Sequence, residues 1–274
     1  MLEPTKTSTP IVKATLLSFP KSGRTWLIQQ IISYLKYYFN PTKLQVEKFN
    51  LHRLDSWNAF QPIVPLFNIT HDDNPHLKTR QALSEDKSEF NDDTVVLLVR
   101  DPRDVIVSLY FEMTRRSQFY EVWGFDTSNF PSKYTPISAF IRGEQGGIDS
   151  IIRYFEIWDK ASQALENFIC IHYEDMKTNT ENILVKALQH WNLPIEPDCI
   201  AEAIKACEFE RMQHKEAKGD YQSLSLTPAD QEDPESFKVR RGKVGGYIDY
   251  LSTNDIAYLN SRCSTLPGYF ARYR

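Results

Sequence analysis

Residues 11–39 have the sequence IVKATLLSFPKSGRTWLIQQIISYLKYYF. The nearly continuous apolar run at 11–19 predicts a strand that is buried on both faces. Residues 20–24, PKSGR, follow as a short loop that contains glycine. From Thr25 to Phe39 the apolar residues recur at helical spacing, and Asn40-Pro41 ends that helix. A strand, a tight loop and a helix in this order predict the first unit of a parallel α/β sheet.

The rest of the chain continues this pattern. TVVLLV at 94–99 and FICIH at 168–172 predict two further buried strands. Asp101 is a favourable N-cap and Pro102 a favourable first helical residue, which predicts a helix that runs to about Met113. We therefore predict a single α/β domain, residues 1–274 with its core at about 11–270, in which helices flank a central parallel sheet.

The other segments are predicted from spacing and composition. Residues 41–90 and 117–147 are expected to be mostly irregular, and 215–236 a mobile surface segment. Thr178 and Glu181 fit a capping box for a helix that ends before Pro194. The remaining helices are predicted at 150–167 and 198–212.

The bulk composition limits the class of partner. The chain is 41% hydrophobic and 25% charged, with a net charge of −4, so any anion site has to be local and neither nucleic acid nor an anionic membrane is expected as a partner. No apolar run is long enough for a membrane span and no secretory pattern is present. The histidines show no metal-binding spacing, so no metal is expected. The scattered cysteines, which predict reduced thiols in a cytoplasmic protein, are Cys170, Cys199, Cys207 and Cys263.

The segment SFPKSGRTW, Ser18 to Trp26, has the properties of an anion-binding turn. Backbone N–H groups converge in a loop that opens a helix, and the helix N-terminus adds positive potential. Side-chain donors are added by Lys21, Ser22, Arg24 and Thr25. The Walker A spacing is absent and the lysine lies early, which indicates a phosphate or nucleotide site of another kind. An ordinary strand-to-helix turn with solvated charges is the alternative.

The segment LLVRDPRDVIVSLY, Leu97 to Tyr110, places Arg100 at the end of a predicted strand. Open α/β sheets bind ligands at this carboxyl edge. Arg100 could pair with a phosphate, and Ser108 could add a hydroxyl donor. The alternative is that Arg100 pairs with Asp101 or Asp104 and that Ser108 is a packing residue.

The segment FKVRRGKVGGY, Phe237 to Tyr247, is the densest basic stretch of an acidic protein. Arg240 and Arg241 are adjacent, lysines lie on both sides, and glycines allow the backbone to approach a ligand closely. A polyanion site is one interpretation, and a solvated basic loop is the other.

In order and spacing, these three segments resemble the sulfotransferases that use 3′-phosphoadenosine 5′-phosphosulfate (PAPS), namely the cytosolic branch and related bacterial enzymes. The resemblance extends from about Thr15 to Tyr250, and IHYEDMK at 171–177 is a fourth matching segment. It implies transfer of a sulfuryl group from PAPS to a hydroxyl or amine, with release of 3′-phosphoadenosine 5′-phosphate (PAP). It also implies a P-loop-like loop at the 5′-phosphosulfate and a reaction without a metal.

The resemblance also implies residue roles. Lys21 matches the lysine that neutralises the leaving group, and Trp26 matches a tryptophan that stacks on the adenine. The 5′-phosphosulfate loop continues through Ser22, Gly23, Arg24 and Thr25. The 3′-phosphate residues are matched by Arg100, Ser108, Arg240, Arg241 and Gly242. Further nucleotide contacts are matched by Tyr173 and Phe209. The catalytic group implied in this way consists of Lys21, His71 and Ser108.

His71, which ends the segment FNITH, matches the general base of the cytosolic enzymes. Imidazole suits this role because its ordinary pKa lies near the working pH. His76 is close enough in sequence to compete. Asp72 and Glu85 are the carboxylate alternatives.

Some features depart from the family pattern or leave it open. Arg24 takes the place of a threonine, Cys207 that of a hydroxyl residue near the adenine, and Tyr247 that of a tryptophan. The family's dimerisation stretch is not recognisable after residue 247, so the oligomeric state stays open. The alternative functions are a P-loop-type nucleotide kinase, for which ATP would bind more tightly than PAP, and a non-catalytic nucleotide-binding member.

The acceptor is not specified by the sequence. Small-molecule, lipid, sugar and peptide acceptors are all compatible with it. Loops at 41–92, 111–147 and 215–236 are expected to form the pocket. The aromatic residues of the middle loop, which could line that pocket or form loop core, are Phe119, Tyr120, Trp123, Phe125, Phe130 and Tyr134.

Overall fold

A parallel sheet lies at the centre of the fold. The computed structural model describes residues 12–48, 50, 53–60, 64–221 and 223–274, and within them four strands pair in the order β2-β1-β3-β4, each with a parallel neighbour. The strands are β1 (Lys13–Ser18), β2 (Leu66–Thr70), β3 (Thr94–Val99) and β4 (Phe168–His172). The predicted fold class and the three predicted strands are confirmed, except that residue 11 lies outside the described residues. β2 falls in a region that was predicted to be irregular.

Eleven α-helices are found in the described residues. They are α1 (Arg24–Phe39), α2 (Lys43–Lys48), α3 (Pro102–Arg115), α4 (Ser117–Val122), α5 (Ile137–Phe140), α6 (Ile148–Ser162), α7 (Tyr173–Thr178), α8 (Thr180–His190), α9 (Pro197–Ala206), α10 (Phe209–Lys218) and α11 (Thr253–Cys263). The other connections include short 3₁₀ turns.

The two faces of the sheet form two separate cores, because successive side chains of a strand point to opposite faces. Val95 and Leu97 of β3 pack with α3 and α6, whereas Val96 and Leu98 pack with α1, α8 and α9. All four side chains are completely buried. Cover on both faces explains why this strand is a continuous run of large aliphatic residues.

Several helix predictions need correction. The region 117–147, predicted as mostly loop, contains α4 and α5, and the helix predicted at 150–167 is α6, which ends at Ser162. The helix predicted at 198–212 is two helices, α9 and α10, which are interrupted at Cys207.

The capping box predicted at Thr178 is also wrong. Thr178 is the last residue of α7, and its hydroxyl donates to the carbonyl oxygen of Glu174 at 3.2 Å. Asn179 takes the N-cap position of α8 without a side-chain cap. A threonine hydroxyl that bonds back to the preceding turn is not available to cap the next helix.

The prediction that residues 215–236 form a mobile surface segment is wrong. Its first residues belong to α10, and Leu226 and Ser236 are buried. The guanidinium of Arg116, at the end of α3, donates to the carbonyl oxygens of Thr227 at 2.8 Å and Ser236 at 2.6 Å. Buried main-chain acceptors therefore tie this segment to the core.

The four cysteines are free thiols, as predicted, and Cys170, Cys207 and Cys263 are buried. Among the described helices, none combines the length and the apolar character that a membrane crossing requires.

All four strands end at the same edge of the sheet, because all run in the same direction. The loop after β1, His71 after β2, Arg100 after β3 and Tyr173 after β4 therefore emerge side by side. This is the edge where open α/β sheets place their ligands.

The cap of α3 gives a prediction on stability. The Asp101 carboxylate accepts from the backbone N–H of Arg103 at 2.9 Å. We expect Asp101→Ala to cost about 1 kcal/mol, seen as a fall of about 2–4 °C in Tm by calorimetry. Asp101→Asn keeps the capping oxygen and should recover most of this loss. Equal losses in both variants would assign the effect to the ion pair of Asp101 with Arg103 instead.

Candidate active site

A cavity of about 970 Å³ opens at the carboxyl edge of the sheet. Thirteen of the fourteen predicted site residues line it: Lys21, Gly23, Arg24, Thr25, Trp26, His71, Arg100, Ser108, Tyr173, Phe209, Arg240, Arg241 and Gly242. Ser22 is the exception, since it is completely buried outside the lining and its hydroxyl has no hydrogen-bond partner. The four segments that resembled one family thus meet at one cavity.

The loop between β1 and α1 has an unusual backbone conformation. Lys21 and Gly23 have positive φ angles of 73° and 97°. A Cβ atom on Gly23 would lie 2.4 Å from the ring of Tyr173, so only glycine fits this turn. α1 begins at the next residue, which places its N-terminus and the loop N–H groups at the cavity.

Aromatic side chains form one wall. The Trp26 indole donates to the carbonyl oxygen of Cys207 at 2.9 Å and meets the ring of Tyr173 edge-on, with centroids 5.9 Å apart. The Lys177 ammonium lies 5.4 Å from the Trp26 ring and 5.7 Å from the Phe209 ring. A flat heterocycle fits such a wall because it can stack on the ring faces. The Cys207 sulfur itself lies 3.5 Å from the Ser33 hydroxyl and does not line the cavity.

The predicted arginines line the cavity and are also paired with carboxylates. Arg100 lies 3.3 Å from Asp104 and 4.5 Å from the Tyr173 ring. Its Nε is buried without a partner. Asp101 does not contact it in this way, because that carboxylate pairs with Arg103. Of the two pairings left open for Arg100, the structure therefore contains the one with Asp104.

The basic C-terminal segment is held in the same manner. Arg240 pairs with Glu235 at 2.7 Å, and Arg241 pairs with Asp249 at 2.7 Å. Gly242 has a positive φ of 57°, and a Cβ there would lie 2.8 Å from the ring of Phe209. The segment is thus packed against the aromatic wall rather than solvated as an independent loop.

Glu112 is the main residue of the candidate site that the sequence did not reveal. It lies one helical turn beyond Ser108 on the same face of α3. Three cations surround its carboxylate: Lys21 at 2.5 Å, Lys238 at 2.8 Å and Arg116 at 3.2 Å. Burial alone would raise the pKa of Glu112, but these three cations hold that pKa well below its usual value. Burial lowers the pKa of Lys21 well below its usual value, although Glu112 acts in the opposite direction.

A second buried carboxylate positions the basic segment. Glu216 of α10 accepts from the backbone N–H groups of Lys238 at 2.6 Å and Val239 at 2.7 Å. These bonds fix the main chain just before Arg240 and Arg241. They also place the Lys238 side chain within reach of Glu112.

His71 contacts another predicted site residue. Its Nδ1 lies 2.8 Å from the carbonyl oxygen of Ser18, and its Nε2 lies 2.7 Å from Nη2 of Arg24. Because a carbonyl only accepts, we assign the proton to Nδ1, so Nε2 accepts from Arg24. Burial, and after it the positive charge of Arg24, lowers the pKa of His71 well below its usual value.

The alternative bases have different surroundings. His76 also lines the cavity, its Nδ1 is buried without a partner, and burial lowers its pKa to about 3. Asp72 forms an ion pair with Lys87 at 2.7 Å and does not line the cavity. Glu85, paired with Arg153, does not line it either.

The aromatic loop contributes part of the remaining wall. Tyr120, Trp123 and Phe125 line the cavity. Phe130 packs against Tyr120, with ring centroids 5.0 Å apart, and Tyr134 is 81% exposed. Only part of the aromatic loop is therefore available to a ligand.

The comparisons with known proteins agree on one family. A model of the sulfotransferase domain matches residues 13–266. Sulfotransferase 2A1 of Mus musculus is 24% identical over 245 residues, which are 86% of this chain and 78% of that protein. Sulfotransferase 2A6 of Rattus norvegicus is 27% identical over 203 residues, covering 72% of this chain and 66% of the relative.

Solved structures share the fold. A mouse sulfotransferase, SULT7A1, complexed with PAP superposes with a TM-score of 0.61 and 18% identity, covering 96% of this chain and 88% of that one. Retinol dehydratase in complex with androsterone and PAP superposes with a TM-score of 0.58 and 15% identity, covering 92% of this chain and 80% of that one.

The cation cluster on Glu112 gives a prediction on stability and pH. Glu112→Gln leaves the buried Arg116 and the partly buried Lys21 and Lys238 without their shared carboxylate, so we expect a loss of about 3–5 kcal/mol at neutral pH. In the wild type the folded pKa lies below the unfolded value near 4.5, so this stabilisation is complete above pH 4.5 and is lost as the pH falls through the folded pKa.

The two proteins should therefore become more similar in thermal stability as the solution is acidified below pH 4.5. Glu202→Gln is the matched control, since Glu202 is half exposed and its partner Lys205 lies 3.8 Å away. It should change stability very little. A gap between wild type and Glu112→Gln that is independent of pH would contradict the electrostatic explanation.

Proposed function

Since the chain belongs to the sulfotransferase family, as its four segments predicted, we propose that it transfers a sulfuryl group from PAPS to a hydroxyl or amine of a small-molecule acceptor and releases PAP. The observation that carries this proposal is the convergence of the loop at Lys21 and the basic segment at Arg240 on one cavity. The four free thiols fit a reducing compartment such as the cytoplasm.

The residues of the cavity suit PAPS. Arg24 and Arg100 each have a buried nitrogen without a partner, which favours an incoming anion. Gly23 and Gly242 keep the backbone close to the aromatic wall, where an adenine can stack on Trp26 and Phe209. The remaining predicted contacts are assigned by the same proposal: Ser22 and Thr25 with the 5′-phosphosulfate loop, Tyr173 with the nucleotide, and Ser108, Arg100, Arg240, Arg241 and Gly242 with the 3′-phosphate.

The chemistry follows from charge. PAPS supplies a sulfuryl group on a phosphate leaving group. As the acceptor oxygen bonds to sulfur and the sulfur–oxygen bond to phosphate breaks, negative charge grows on the phosphate. Lys21 and the loop N–H groups stabilise that charge, and Nε2 of His71 takes the acceptor proton. A metal is not required for these steps, because lysine and the N-terminus of α1 supply the positive charge.

The acceptor enters beside His71. Tyr120, Trp123 and Phe125 offer apolar surface there, while His76 and Asn74 offer polar groups. A compact organic alcohol, phenol or amine suits this mixture.

Nucleotide binding tests the proposal directly. We expect PAP to raise Tm more than 5′-AMP or ATP, since a ligand at a hundredfold excess over Kd stabilises by about 2.7 kcal/mol. Arg100→Ala should remove the preference for PAP over AMP because that preference depends on the 3′-phosphate. Arg262→Ala, on α11 and paired with Asp149, is the control that should keep it. Stronger binding of ATP than of PAP would favour a kinase instead.

The base is tested by variants of two histidines. His71→Gln should lower turnover by roughly 10²–10⁴-fold while leaving PAP affinity unchanged, because the base acts on the acceptor. His76→Gln should keep most of the turnover. Because the base has to be neutral and its pKa is lowered, kcat/KM for PAPS should fall only below pH 6.5. Near-normal turnover of His71→Gln with an inactive His76→Gln would assign the base to His76.

A further inference from the structure

Arg24 differs from the other arginines of the cavity. Four of them have a carboxylate partner: Arg53 with Asp55, Arg100 with Asp104, Arg240 with Glu235, and Arg241 with Asp249. For Arg24, the described part of the chain supplies no carboxylate within 4.0 Å. A half-buried guanidinium without a counterion is prepared to bind an anion.

The two terminal nitrogens of Arg24 point to the same conclusion. Nη2 is hydrogen-bonded to Nε2 of His71 at 2.7 Å, whereas Nη1 is buried without any partner. Burial lowers the pKa of Arg24 to about 10, so the side chain stays charged at neutral pH. One terminal nitrogen of this guanidinium is free and the other is bonded to a neutral imidazole. A ligand with two anionic oxygens would give both nitrogens stronger, charge-assisted hydrogen bonds.

The same contact blocks the base. The Ser18 carbonyl fixes the proton of His71 on Nδ1, so Nε2 carries the lone pair that has to receive the acceptor proton. In the structure that lone pair accepts from Arg24. His71 therefore cannot act as a base until Arg24 moves away.

We propose that Arg24 leaves His71 to bind the sulfuryl oxygens of PAPS, so that binding of the donor itself frees the base. This proposal rests on the proposed function. Only hydrogen bonds are exchanged in this step, and no covalent bond forms or breaks. Arg24 then contacts the group that is transferred and is a catalytic residue.

Position in the cavity favours the sulfuryl group over the phosphates. A base that takes the proton of the attacking oxygen has to lie beside the sulfur atom, because that oxygen bonds to sulfur. A guanidinium 2.7 Å from Nε2 of that base lies beside the same place. Arg24 is also the first residue of α1, directly after the loop that contains Lys21, the residue assigned to the leaving phosphate.

Calorimetric titration with PAP and PAPS in the absence of acceptor tests the proposal, because the two nucleotides differ only in the sulfuryl group. We expect Arg24→Gln to reduce the preference for PAPS over PAP by roughly 10–100-fold, as for one lost charge-assisted pair, and to leave PAP affinity nearly unchanged. Arg24→Lys, which keeps the charge but not the fork, should show a smaller loss.

Arg241→Gln is the matched control. Arg241 lines the same cavity but pairs with Asp249, and its substitution should weaken both nucleotides in proportion. A preference for PAPS over PAP that is unchanged in Arg24→Gln would overturn the role of Arg24. If the wild type bound neither nucleotide, the proposed function itself would be wrong.

Nitrogen-15 NMR of histidine-labelled wild type provides a readout without a variant. Loss of the Arg24 hydrogen bond should shift the Nε2 resonance of His71 when PAPS is added, whereas PAP, which lacks the sulfuryl group, should leave it nearly in place. If the Nε2 resonance of His71 had the same position with PAPS as with PAP, the proposed movement of Arg24 from His71 to the sulfuryl group would be contradicted.

Discussion

The convergence of three cations on Glu112 is the interaction on which the site depends. Lys21 comes from the loop after β1, Arg116 from the end of α3 and Lys238 from the C-terminal basic segment. These segments are far apart in sequence, and each would be repelled by the others without the carboxylate between them. The buried Glu112 carboxylate therefore holds the loop of Lys21 and the basic segment of Lys238 against α3, and the buried Glu216 adds a second negative charge 3.9 Å from Arg116. These carboxylates explain why the three cations can be buried or partly buried.

The same principle extends over the cavity. A protein with a net charge of −4 concentrates arginines at one edge of its sheet and balances most of them with carboxylates such as Asp104 and Asp249. At these paired arginines an incoming anion replaces an existing ion pair, whereas Arg24, which has no carboxylate partner in the described residues, can bind an anion without displacing one. The affinity for an anionic ligand at this edge is consequently the difference between the arginine–ligand interactions that form and the arginine–carboxylate interactions that are lost. A ligand is selected when its anionic groups match the arginines better than the carboxylates of the protein do.

The sequence predicted those parts of the fold that depend on local patterns. β3 and β4 were identified because continuous apolar runs are typical of strands covered on both faces. β2 was missed because LFNIT is an edge strand whose Asn68 and Thr70 are only half buried, so it lacks that pattern. α4 and α5 were missed because helices of 6 and 4 residues are too short for periodicity to be visible.

The site shows the same limit. Nearly all of the site residues that the resemblance implied do line the cavity, since each motif keeps its members close in sequence. The contact of Lys21 with Glu112 spans 91 residues and that of Arg24 with His71 spans 47, and no local pattern indicates such pairs. Lys21 and Arg24 are thus both engaged with side chains from distant parts of the chain, Glu112 and His71. Any ligand that draws Lys21 or Arg24 toward the nucleotide changes the surroundings of Glu112 or His71. Coupling free energies are reciprocal. If binding of the donor changes the affinity for the acceptor by some factor, binding of the acceptor therefore has to change the affinity for the donor by that same factor.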